Sequence, residues 1–184
     1  GSLFLMLTNL SFTHGMFFMA FIESFVLLGG LQSVFSFLFG RTTQDESCKS
    51  KFHTLIFNDL YTSSSANSPS YGIYVVSVAC SYLISSFLEI KNELDALDSS
   101  FYKQYDAAFW VLLAIPCIYL VLSIIYGCNS VGNGIISLLI GSLVGTLLEY
   151  QNVALFGRNS TNFLAIPLLR NKSVNNEPIY ICSS

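Results

Sequence analysis

Few side chains in this sequence are equipped for chemistry, and their spacing limits what that chemistry could be. His14 and His53 are the only histidines, and neither has an Asp or Glu at the spacing of a metal site or a triad. They read as interface or loop residues. Among the five cysteines (Cys48, Cys80, Cys117, Cys128 and Cys182), no set has zinc-ligand spacing. Cys80 and Cys117 lie inside apolar runs and are expected to pack. Cys48 and Cys128 fall on one side of a membrane crossed four times, which leaves a disulfide and a pair of free thiols both open. Cys182 could pair only with another chain or with something outside the four-span arrangement. Glu23 is the most interesting residue, an acid within a long uncharged stretch. Intramembrane carboxylates are often functional, yet a single one can also sit protonated and hydrogen-bonded to Ser or Tyr. No metal or cofactor is expected.

The elements that hold these residues are set by an unusual composition. Of 184 residues, 53% are hydrophobic and only 10% charged, against roughly 25% charged in soluble domains. The mean hydropathy is +0.60. A soluble domain of this size would struggle to cover so much apolar surface, so lipid is the expected solvent. A net charge of −3 with eight Lys and Arg offers no basic stripe for nucleic acid. The first fourteen residues hold no Lys or Arg, so a secretory signal is not expected.

The chain is organised around residues 126–150. An uncharged run from Ile135 to Leu148 is closed by Glu149, and Gly141 and Gly145 stand four residues apart within it. That spacing puts both glycines on one helix face, where another backbone can come close, a common association pattern in lipid. A second uncharged run, Ala107 to Tyr126, lies just upstream, and the two are expected to form a tight helical pair.

The spacing of apolar runs predicts an all-α integral membrane protein with about four transmembrane helices, at residues 16–39, 70–90, 107–126 and 132–148. Residues 1–150 form the membrane domain. Residues 151–184 form a polar C-terminal tail, irregular or with short strands, in which 163–169 is apolar but too short to span. The acidic connector 89–106 is expected to contain a short surface helix. Phe101, Tyr102, Tyr105 and Trp110 follow as an interfacial aromatic belt. Pro116 falls in the middle of the third span, where a membrane helix tolerates it.

The positive-inside bias is small: five Lys and Arg lie on the side of both termini and three on the other, leaving orientation open. Sequons at Asn9, Asn159 and Asn171 lie on the more basic side, so their use would require that side to be lumenal.

Two short stretches carry a resemblance. Asn67-Ser-Pro69-Ser70-Tyr71-Gly72 resembles the Pro-Ser-Gly-His signature of the type 2 phosphatidic-acid phosphatase family, which ends its last motif with Arg-x5-His-x3-Asp before a Gly-x3-Gly helix. Placing Gly141 and Gly145 on those glycines puts Asn133 at the nucleophilic His, Ser137 at the Asp and Gly127 at the Arg. Gly72 stands at the general-acid His, and no Lys-x6-Arg-Pro motif precedes. The resemblance covers about residues 69–148, and it implies a degenerate, phosphatase-like membrane protein, a pseudoenzyme of a kind resembling those of large DNA viruses. Phosphoryl transfer through a phosphohistidine needs the nucleophile, its carboxylate and cationic groups; Asn133 and Ser137 can supply none of these.

The expected function is therefore a non-catalytic structural membrane protein. It would sit in a virion inner membrane or similar assembly and contact membrane or capsid-type proteins through its loops and tail. An accessory subunit of a respiratory or photosynthetic complex in an organelle membrane is the alternative. A lipid phosphatase with an unrecognised site is a third.

Overall fold

The computed structural model describes residues 12–39, 68–97, 99–126 and 129–163. Four long helices account for most of them: α1 (Phe12–Phe39), α2 (Tyr71–Leu97), α3 (Ser99–Ile125) and α4 (Val131–Phe156), with a 3-10 turn (Arg158–Thr161) after α4. No strand occurs among the described residues. Lipid offers no partner for backbone N–H and C=O groups, so apolar runs close their hydrogen bonds internally as helices. Each of the four is long and apolar enough to cross a membrane. At 1.5 Å per residue they extend roughly 40 Å, beyond the ~30 Å of hydrocarbon. The chain is an all-α integral membrane protein.

The helices outrun the apolar runs that announce them. α1 starts at Phe12, and α4 continues through Glu149 to Phe156, so residues 151–156 of the expected tail are helical. The acidic connector is no separate surface helix: α2 extends to Leu97 and α3 begins at Ser99. α3 passes through Pro116 without interruption.

The contacts fix the arrangement. Gln32 of α1 bonds Pro69 before α2, while Phe17, near the start of α1, meets Tyr82 far along α2, so these two helices are antiparallel. Ser70 meets Ser137 and Tyr82 meets Asn152, so α2 and α4 run parallel. α2 is the central helix, with 44% of its apolar window buried against 11% for α3.

The tight helical pair is not the one expected. α4 makes its most extensive contact with α2, and a much smaller one with α3. A Cβ at Gly141 would lie 2.7 Å from the Tyr74 carbonyl oxygen and 2.8 Å from Ser77 Cβ. At Gly145 it would collide with the Val78 carbonyl and Ser81 Oγ. Ser77 and Ser81 are themselves four residues apart, so two small-residue faces meet along one seam. A short connection ties α3 to α4 in sequence, but it is α2 that presents the small face meeting Gly141 and Gly145. α3 instead turns outward, with Trp110, Val111, Ile118 and Ile125 exposed. Cys80 is buried, whereas Cys117 is exposed on α3 rather than packed.

Gly29 and Gly30 provide a contrast, because a Cβ at either meets nothing within 4 Å. Gly29→Ala and Gly30→Ala are expected to leave thermal stability in detergent unchanged or to raise it by about 0.5–1 kcal/mol each, the cost of a mid-helix glycine. A fall in the unfolding midpoint would show that α1 needs both glycines for contact.

Candidate functional site

Polar side chains gather at the two ends of the α2–α4 seam. The first end is where the phosphatase-like positions fall. Pro69 and Ser70 lead into α2, with the Ser70 carbonyl accepting the Tyr74 N–H at 3.0 Å. Ser130 caps α4 by accepting the Asn133 N–H at 3.3 Å. This geometry brings Ser70 against the first turns of α4. The Ser70 N–H donates to Ser137 Oγ (2.7 Å), which donates to the Asn133 carbonyl (2.6 Å).

Burial at this end deepens from the exposed cap of α4 toward the seam. Ser137 is fully buried and Ser70 nearly so. Asn133 Nδ2 donates to Asn129 Oδ1 at 3.3 Å, and Asn129 Nδ2 donates to Ser123 Oγ at 2.6 Å. Asn133 Oδ1 is buried without a partner. Tyr71 stacks on Phe25, with ring centroids 5.8 Å apart. Any side chain at Gly72 would meet the Tyr119 hydroxyl 2.5 Å from its Cβ. The resemblance-derived positions Ser70, Ser137 and Asn133 are thus bonded in sequence, and the Pro69 carbonyl beside them accepts from Gln32. These are hydroxyls, amides and backbone groups, none of which ionises near neutral pH. Gly127, Cys48, Cys128, Cys182, His53, Asn9 and Asn171 lie outside the described residues.

Ser137→Ala would strip the Ser70 N–H of its acceptor inside the seam. An orphaned buried donor costs about 1–3 kcal/mol, so the expected result is a lower unfolding midpoint in detergent. An unchanged midpoint would mean that Ser70 finds another acceptor.

The second end was not legible as a site. Tyr82, 1% exposed, accepts a hydrogen bond from Asn152 Nδ2 at 2.7 Å. Glu149 is buried one turn earlier on α4. Ser160 Oγ donates to the Asn152 carbonyl at 3.1 Å, which folds the 3-10 turn back onto the helix. Arg158 pairs with the Glu89 carboxylate at 3.3 Å and also donates to the Glu89 carbonyl. Phe163, expected in an irregular tail, instead packs on Phe17 and His14, each with ring centroids at 5.7 Å. Glu23 is half-buried and accepts a bond from Gln151 Nε2 at 3.4 Å. The available signal was the three-residue spacing of Glu149 and Asn152, which puts both on one helix face.

Fold and site together define an integral membrane protein whose described residues form four long helices built on a parallel α2–α4 seam. Compared with protein-family models, curated proteins and solved structures, the chain matches none.

Proposed function

We propose that this protein is a non-catalytic structural component of a membrane-containing assembly, such as the inner membrane of a virion, where it contacts neighbouring proteins through its loops and tail. One observation carries the reading. At the positions that the phosphatase resemblance assigns to chemistry, buried Ser70 and Ser137 bond each other and the Asn133 backbone carbonyl, while the half-buried Asn133 side chain donates to Asn129. A side chain at the general-acid position, Gly72, would displace Tyr119. The groups there hold helix against helix, which is a structural task. The outward apolar faces of α1 and α3, with Val26, Phe37 and Ile118 among their exposed residues, suit lipid or the apolar flank of a neighbour.

Cross-linking of native membranes followed by mass spectrometry tests this reading. Cross-links from the loops or tail to capsid-type or other structural membrane proteins are expected. Links to haem or chlorophyll proteins would favour an accessory respiratory or photosynthetic subunit instead. The purified chain is expected not to hydrolyse phosphatidic acid. Hydrolysis abolished by Asn133→Ala would overturn the proposal.

A further inference from the structure

Glu149 is the only acidic or basic residue of α4, and it is buried where the apolar run ends. The residue is 4% exposed, and its Oε1 is sealed from solvent without a hydrogen-bond partner. The donors of Asn152, Gln151 and Arg158 are engaged elsewhere. Asn152 Nδ2 serves the Tyr82 hydroxyl and the Met16 carbonyl, at 2.7 and 3.5 Å. Gln151 Nε2 serves Glu23. Arg158, on the 3-10 turn, is held by Glu89 through both the carboxylate and the backbone carbonyl.

The charges facing this carboxyl do not favour an anion. From α2 come the Glu89 carboxylate, paired with Arg158, and the Tyr82 hydroxyl, which accepts from Asn152. From α1, Glu23 is bonded by Gln151, and His14 sits at this end against Phe163. Arg158, the cation of the 3-10 turn, is paired with Glu89. The contact of α3 with α4 at Leu120 and Gly134 belongs to the opposite end.

An ionised carboxylate without a partner is among the costliest groups to bury, and it neutralises when it can. A metal ion would need several ligands, and no group of three or more His, Cys, Asp or Glu among the described residues could hold one. Only a proton is small enough to reach the sealed oxygen. We infer that Glu149 is a proton-binding site at the α2–α4 seam, occupied while the bundle is closed.

The linkage has a definite sign. The folded chain then binds one proton that the unfolded chain releases at neutral pH, so stability falls as pH rises. Glu149→Gln, which keeps the shape and neutrality of the protonated acid, removes that dependence.

The test uses the purified full chain in lipid vesicles at neutral pH, with infrared spectroscopy as the readout. The wild type is expected to show the carbonyl stretch of a protonated carboxyl, shifted on deuteration. Glu149→Gln should lose that band and Glu23→Gln should keep it. The thermal midpoint of the wild type should fall with rising pH more steeply than that of Glu149→Gln. Absence of the band in wild type, its persistence in Glu149→Gln, or equal pH slopes for the two proteins would each overturn the assignment. If Glu149→Gln fails to fold, absence of the band from the wild type still overturns the assignment.

Discussion

Replacing Gly141 and Gly145 together with Ile is expected to separate α4 from α2 and to remove most of the protein's resistance to unfolding in detergent. At Gly141 the obstacle to a side chain is the Tyr74 carbonyl, 2.7 Å from where a Cβ would stand. At Gly145 it is the Val78 carbonyl together with Ser81. Backbone cannot rotate out of the way as a side-chain tip can, so the helices must move apart. Overpacking of this kind costs about 1–3 kcal/mol at one site, and both sites load the same seam. Separation would also break the Ser70–Ser137 and Tyr82–Asn152 hydrogen bonds, which need the helices in contact. Thermal unfolding by circular dichroism provides the measure. A midpoint equal to wild type would refute close backbone contact. Gly141→Ala and Gly145→Ala should each show a smaller fall, opposite in sign to the effect expected at Gly29 and Gly30.

Tyr82→Ala should produce the second large loss. Tyr82 fills the second end of the seam, in a buried cluster with Ala20 and Leu148 and flanked by Phe17 and Phe163. Its hydroxyl also accepts the Asn152 amide. Truncation leaves a cavity that four packed elements can only partly close, and removing a buried aromatic costs about 3–5 kcal/mol in soluble cores. In lipid the lost term is packing rather than burial from water, so about 3 kcal/mol is the expected figure when the cavity term of core truncation dominates. Tyr82→Phe separates the two contributions. It keeps the ring and loses only the hydrogen bond, for which about 0.6 kcal/mol is typical between membrane helices. Equal losses for Ala and Phe would assign the effect to the hydroxyl and contradict the packing account.

Both substitutions act on contacts of unequal legibility. The glycine pair was visible as a close-approach face because four-residue spacing in a helix has one geometric meaning. Its partner was not visible. Nearness in sequence pointed to α3, whereas the choice depends on which neighbour offers small residues at the matching height, and Ser77 and Ser81 of α2 do so. Glu149 shows a different limit. A charged residue marks the end of an apolar run, yet α4 continues past it because a bundle interior can enclose one carboxyl that lipid would reject. The Ser70–Ser137 bond joins residues from two motif fragments, and neither fragment alone states that it meets the other. Arg158 and Phe163 read as tail residues until the 3-10 turn folds them against α2 and α1.

Composition and apolar runs alone were enough to place the chain in lipid, with four helices among its described residues long enough to span. Long uncharged runs have no other low-energy solvent, and backbone groups in lipid have no partners but their own. Tertiary structure alone decided which helices touch, which hydroxyl answers which amide, and that one oxygen of the Glu149 carboxyl is enclosed without a partner. Those outcomes depend on side chains from distant parts of the chain meeting at one height along a seam, and periodicity along a single helix does not encode that register.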